Sequence, residues 1–250
     1  MSAPILIIHR RNRTMQLNGL PRHCWVEIDI DLLEGVPCLS HDPVTREMSA
    51  EKLTEFLPRA LERGIEGFVF DCKRENAEAA VHPLIEQHKI ANYFYLNEMD
   101  VQADILMAKD ASHRSAARIW QYRGARDVIR YVEDMKKDKQ SRPAWAWIDC
   151  WQRGLPENMA QAAVPINQAD ARALQQIGVR LCVCSPELYA HSYDKKYEMA
   201  ELEKIYSGIV RYRHRLLQTG VHFDAVCTKF PWLWTMDVDL LLSSRSLTAT

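Results

Sequence analysis

Charged side chains gather in four short groups in the first third of the chain: His9-Arg10, Glu27-x-Asp29, His41-Asp42 and Asp71-x-Lys73. In a β-strand, residues two apart point to one face, so Glu27 and Asp29 stand side by side, and Asp31 extends the row if the strand continues. Neighbouring carboxylates repel unless a cation or protons intervene. Their hard oxygens suit magnesium or calcium, and the same spacing also fits a solvated strand edge. Asp71 and Lys73 share a face by the same rule. They suit a metal ligand beside a phosphate-binding ammonium, or an ordinary ion pair. His41-Asp42 precedes Pro43 and, taken alone, reads first as a simple turn with the aspartate capping an amide. His9, Arg10 and Arg11 close the apolar run "ILII". They mark either the edge of a fold or the place where an anion sits.

These groups need elements to position them, and the chain supplies a regular alternation. β-rich runs stand at 4–9, 24–30, 67–73, 91–97, 117–123, 144–151, 179–185 and 225–231. Several are almost wholly apolar, as strands buried on both faces must be. Gly35-Val36-Pro37 reads as a turn and Cys38-Leu39 as a short return strand. Helical stretches lie between the runs, at 49–64, 76–89, 124–139, 167–178 and 197–220. In the first, Ser49 is the expected cap, Gly64 the stop, and Pro58 a point of kinking. Eight strands alternating with helices indicate an α/β chain of parallel βαβ units. Closed on itself, that is a (β/α)8 TIM barrel, with a doubly wound open sheet as the alternative. No linker divides residues 1–250, so a single domain is expected, with 240–250 as a frayed tail.

The totals narrow the function. A formal net charge of -1 offers no basic field for nucleic acid, so anion binding must be local. The seven cysteines form no CxxC pair and lie mostly in apolar runs, which points to a reducing, cytoplasmic setting. No secretory leader is evident at the N-terminus, and no apolar run reaches about 18 residues, so no membrane insertion is expected.

In their order along the chain, the four groups resemble the pattern of the glycerophosphodiester phosphodiesterase family, within the phosphatidylinositol phospholipase C-like barrels. That pattern is His-Arg, Glu-x-Asp, a Gly-x-Pro segment leading to His-Asp, then Glu-x-Lys. "VEIDIDLLEGVPCLSHDP" follows its centre closely, and the likeness covers residues 5–73. It implies that Glu27, Asp29 and Asp71 hold one divalent cation, Mg2+ or Ca2+. His9 and His41 would be the acid and base, and Arg10 and Lys73 would bind phosphate oxygens. It also implies a small-molecule phosphodiester substrate attacked by its own neighbouring hydroxyl, through a cyclic phosphate that water then opens.

The chain departs from the pattern in three places. Arg11 stands where the family has Gly, with no Pro-Glu-Asn segment after it. Asp71 replaces the usual Glu, as in the Asp-x-Lys pair of the sphingomyelinase D branch. Fewer than thirty residues separate Asp42 from Asp71, which leaves no room for the usual inserted subdomain. Farther on, "WAWIDCWQRGLP", "GVRLCVCSPELYAH" and "FDAVCTKFPWLW" resemble compact relatives encoded near bacterial surface-polysaccharide genes. In that region Glu187 and Lys229 are candidates for reading the alcohol portion of the substrate, while Ser185-Pro186-Glu187 also makes a good helix start. Trp145, Trp147, Trp151, Trp232 and Trp234 are expected in core or rim packing, and 211–217 as a solvated basic helix face. A hydrolytic phosphodiesterase is the expectation. Its alternatives are a lyase that stops at the cyclic phosphate and a catalytically silent binding barrel.

Overall fold

The computed structural model describes residues 3–47, 49–97, 115–120, 124–137, 143–150, 159–164, 166–189 and 198–237. Trp151 and the 240–250 tail therefore lie outside the described residues. The chain gathers into two compact units. One comprises Ile5–Ala117 and Tyr131–Ala146; the other comprises Met1–Pro4, Arg118–Arg130 and Trp147–Thr250.

The first unit is built on β2 (Trp25–Leu33). β1 (Ile5–Ile8) and β5 (Gly67–Cys72) both pair with it in parallel, and β6 (Tyr93–Asn97) pairs in parallel with β5. β2 then turns back at Glu34-Gly35 into β3 (Val36–Leu39), which carries a short β4 (Glu51–Lys52). Both turn residues have positive φ, 53° and 82°, and the register pairs Leu33 with Val36. A two-residue turn of that hand follows the twist of the strands, and a glycine at its second position meets no steric cost. The strand thus returns two residues earlier than its composition suggests.

Period two decides what each face of this sheet buries. Val26, Ile28 and Ile30 of β2, Phe68, Phe70 and Cys72 of β5, and Tyr93 and Tyr95 of β6 pack into one core. That core is closed by α1 (Leu53–Glu62), through Leu53, Phe56, Leu57 and Ala60, and by α2 (Ala77–Gln87), through Ala77, Val81 and Ile85. The alternate residues, Glu27, Asp29 and Asp71, are left for the opposite face. Below them along that face lies an aromatic layer: Trp25, Phe94 and Trp145, with ring centroids 4.9–6.3 Å apart. α1 runs unbroken through Pro58, and its first turn follows Lys52 rather than a Ser49 cap, because Glu51-Lys52 are taken up by β4.

The second unit holds β9 (Arg180–Cys184) and β10 (Ala225–Thr228), which pair in parallel, whereas β7 (Ala116–Ile119) and β8 (Trp145–Ile148) each begin in the first unit and end in the second. Helices α3 (Ala125–Lys137), α4 (Gln168–Gln176) and α5 (Met199–Gln218) follow where the periodicity puts them, and α6 (Trp232–Thr235) is one short turn. Residues 211–217 are not a wholly solvated basic face. Tyr212 and Leu216 are buried, Arg213 donates to the carbonyls of Leu233 and Met236, and Arg215 donates to that of Ala162. All seven cysteines are buried thiols. Burial pushes Cys24 up to about 11 and holds Cys72, Cys150, Cys182 and Cys184 well above the ordinary thiol range, so they serve as small apolar side chains. Among the described residues, no helix is long and apolar enough to cross a membrane.

Gly67 is the tightest point of the first unit. It pairs with Trp25, and a Cβ built on it would lie 2.3 Å from two atoms of the indole. Gly67→Ala should therefore destabilise the chain by roughly 1–3 kcal/mol, toward the upper end. Urea unfolding checks this as a lower midpoint at unchanged slope.

Candidate active site

β2 ties together the loops that carry the candidate residues. The amide of Arg11 donates to the Glu27 carbonyl at 2.9 Å, that of Ser40 to the Asp29 carbonyl at 3.1 Å, and that of Lys73 to the Ile30 carbonyl at 2.8 Å. The exits of β1, β3 and β5 are thereby anchored along one short stretch of β2. Parallel register sets Asp29 directly opposite Asp71 on β5.

The result is a cluster of three buried carboxylates. Glu27, Asp29 and Asp71 are 1%, 1% and 6% exposed, and each places an oxygen within 4.8 Å of the others. Glu27 is held well above the usual carboxylate range, first by desolvation and then by the charges of Asp29 and Asp71. Trp25, of the aromatic layer, lies two residues earlier on the same face of β2. Three crowded hard oxygens in a dry site are a donor set that fits one small divalent cation.

The cations predicted from sequence stand on this cluster. Lys73 Nζ is 2.6 Å from Asp71 Oδ2 and 3.1 Å from Asp29 Oδ1. Arg10 Nε is 3.3 Å from Asp29 Oδ2, and the Arg10 amide donates to Glu27 Oε2 at 2.5 Å. Arg10 makes that bond from a left-handed backbone, φ 51°. For a residue with a Cβ, such a conformation costs on the order of 1 kcal/mol and is found where a site over-determines it. His9 Nε2 lies 3.6 Å from Glu27 Oε2. Six of the nominated residues, His9, Arg10, Glu27, Asp29, Asp71 and Lys73, are therefore brought together.

His41 sits one residue beyond the Ser40 amide that is bonded to Asp29, on a partly exposed turn. Its Nδ1 is 3.1 Å from Asp42 Oδ1, and the Ser40 hydroxyl donates to the Asp42 carbonyl at 2.7 Å. Asp31 continues the strand but stays outside the carboxylate cluster. Burial works to raise it, yet the amides of Val44 and Leu32 and the guanidinium of Arg74 outweigh burial and hold it low.

Two residues escape the motif pattern. The Asn12 side chain caps Asp29 twice, its Nδ2 donating to Oδ2 at 2.7 Å and its Oδ1 accepting the Asp29 amide at 2.9 Å. Arg74 is the other, through its bonds to Asp31. Nothing in periodicity marks Asn12; its place just after His9-Arg10 is the one available signal.

In the second unit, Glu187 lies in a 3-10 turn, Pro186–Tyr189, after β9 and is buried. Its Oε1 accepts the Thr228 hydroxyl at 2.6 Å and the Lys229 amide at 2.9 Å, while Lys229 Nζ donates to the Glu187 carbonyl at 3.3 Å. Asp149, at the end of β8, accepts from Arg118, Trp147 and Tyr189. Trp145, Trp147 and Trp234 are buried, whereas Trp232 is 46% exposed. Desolvation raises the Glu187 carboxyl above its ordinary 4.5, against the bonds it accepts. The folded chain thus keeps a proton that the unfolded chain releases. Stability from this group is full below the ordinary value and is lost as pH rises through the raised one. Glu187→Gln removes that component. In urea midpoints taken across the acid-to-neutral range, wild type should lose stability relative to the variant as pH rises; parallel profiles would contradict this.

Comparison with models of known protein families finds no match, and comparison with curated proteins finds none either. Solved structures do match over nearly the whole chain. One, assigned as a glycerophosphoryl diester phosphodiesterase from Agrobacterium tumefaciens strain C58, has a TM-score of 0.60 at 12% identity, covering 98% of this chain and 100% of that one. A glycerophosphodiester phosphodiesterase from Parabacteroides distasonis gives 0.55 at 12% identity, over 98% and 100%. A glycerophosphoryl diester phosphodiesterase from the same organism gives 0.56 at 14% identity, over 97% and 87%. The resemblance carried by residues 5–73 is thus borne out in the fold of the chain, an α/β fold shared with structures of glycerophosphodiester phosphodiesterases.

Proposed function

We propose that this chain is a divalent-cation-dependent phosphodiesterase that hydrolyses a small glycerophosphodiester or sugar-linked phosphodiester, with a place in bacterial surface-polysaccharide metabolism and in the cytoplasm. One observation carries the reading. Three buried carboxylates from two neighbouring parallel strands converge within 4.8 Å and are met at their rim by Arg10, Lys73 and His9. A phosphodiester needs its nonbridging oxygens stabilised as charge builds on them, and this rim concentrates positive groups beside the carboxylates.

In this proposal Glu27, Asp29 and Asp71 hold one cation, Mg2+ or Ca2+. When bound, that ion supplies Lewis-acid stabilisation of phosphate charge. Arg10, fixed by Asp29, and Lys73, fixed by Asp29 and Asp71, orient the phosphate. His9 and His41 divide the proton transfers: one imidazole takes the proton of the attacking oxygen and the other protonates the leaving alkoxide. The Asp71-x-Lys73 pair favours a second reading, a lyase that releases a cyclic phosphate, and phosphorus NMR of the products separates the two.

The test is hydrolysis of bis-p-nitrophenyl phosphate and of glycerophosphodiesters, with and without EDTA. Metal-dependent turnover is expected. His41→Ala should lower it roughly 100- to 10,000-fold, and Glu27→Gln should weaken divalent-ion binding along with activity. Turnover indifferent to both EDTA and His41→Ala would sink the proposal.

A further inference from the structure

We infer that Asp31 and Arg74 form a clamp that sets the position of His41, so that Asp31 is a positioning residue and not a fourth ligand of the carboxylate cluster; the catalytic consequence rests on the function proposed above. Asp31 is 2% exposed and lies two residues beyond Asp29 on β2. Both its oxygens are fully engaged. Oδ1 accepts the Leu32 amide at 2.8 Å and Arg74 Nε at 2.6 Å; Oδ2 accepts the Val44 amide at 2.7 Å and Arg74 Nη2 at 3.0 Å. Four donors occupy the acceptor capacity of one carboxylate, so coordinating a cation would mean breaking bonds already made.

These bonds define the loop that bears His41. Its near end is fixed by the Ser40 amide on the Asp29 carbonyl, and its far end by the Val44 amide on Asp31 Oδ2. The two anchors on β2 are two residues apart, and Val44 is itself buried. The Ser40 hydroxyl to the Asp42 carbonyl draws the span tighter. His41 therefore lies in a short arch pinned to the strand that carries Glu27 and Asp29. Arg74 adds the third side. It follows Lys73 directly, and its two-point grip on Asp31 ties the exit of β5 to the same arch. Bidentate pairing fixes orientation as well as distance, and displacing a reacting group by about 1 Å can cost on the order of 100-fold in rate.

The experiment is a double-mutant cycle between Asp31→Asn and His41→Ala on the full chain, with kcat, KM and Mn2+ affinity read for each variant. Asp31→Asn keeps the shape but presents an amide to donors. It should lower kcat roughly 10- to 100-fold, with KM and Mn2+ affinity within about two-fold of wild type. Added to His41→Ala, it should cost nothing further, because its effect passes through that imidazole. If Asp31→Asn instead slows His41→Ala by the factor it exerts alone, or abolishes Mn2+ binding as Asp29→Asn would, the clamp is wrong. Should Asp31→Asn fail to fold, Arg74→Gln goes through the same cycle, with a smaller loss that must likewise vanish beside His41→Ala. If the wild type cleaves no diester, the phosphodiesterase proposal fails by itself. The clamp is then judged by amide hydrogen exchange over Ser40–Val44: faster exchange in Asp31→Asn supports it and unchanged exchange overturns it.

Discussion

Mutual repulsion among Glu27, Asp29 and Asp71 is the constraint around which the first unit is organised. Three carboxylates in a nearly dry site cannot all ionise without compensation, and burial of Glu27 pushes its proton affinity upward. The surrounding residues answer that repulsion from several sides. Lys73 spans two of the carboxylates, Arg10 and Asn12 engage Asp29, and the strained Arg10 amide serves Glu27. Removing one partner from such an arrangement typically costs on the order of 3–5 kcal/mol. A fold would not assemble this cluster for stability when apolar residues would fill the same space at less cost.

The apolar architecture makes the cluster possible. One face of β2 and β5 is spent on packing against α1 and α2, which frees the other for the carboxylates. Gly67 leaves room for the Trp25 indole, and the indole with Phe94 and Trp145 forms the dry layer below them. Backbone bonds from Arg11, Ser40 and Lys73 to β2 then bring three chain segments to one strand end. Fold and site are one construction: the parallel register that buries Ile28 beside Phe70 is the register that opposes Asp29 to Asp71.

Much of this was legible in the sequence because period two is a strong signal. Glu27-x-Asp29 and Asp71-x-Lys73 stand in apolar runs, where alternation fixes the shared face, and each of the eight runs overlaps a strand. The helices followed from their own period, although Ser49 proved no cap because its neighbours pair as β4. Three-dimensional relations between distant residues were not legible. Asp31 looked like a continuation of the acidic row, and only the positions of Val44 and Arg74 reveal it as an anchor. Asn12 has no periodic context, and its bond to Asp29 spans two segments. Arg213 and Arg215 looked solvated because a helix face carries no mark of the carbonyls that will end up opposite it.

The most direct measurement is calorimetric titration of the chelator-stripped protein with Mg2+ and Ca2+, for wild type and Asp29→Asn. The account expects one saturable site per chain in the wild type and its loss in the variant, with the fold intact by circular dichroism. No saturable binding at millimolar ion, or equal binding by the two proteins, would contradict the claim that these three carboxylates exist to hold a cation.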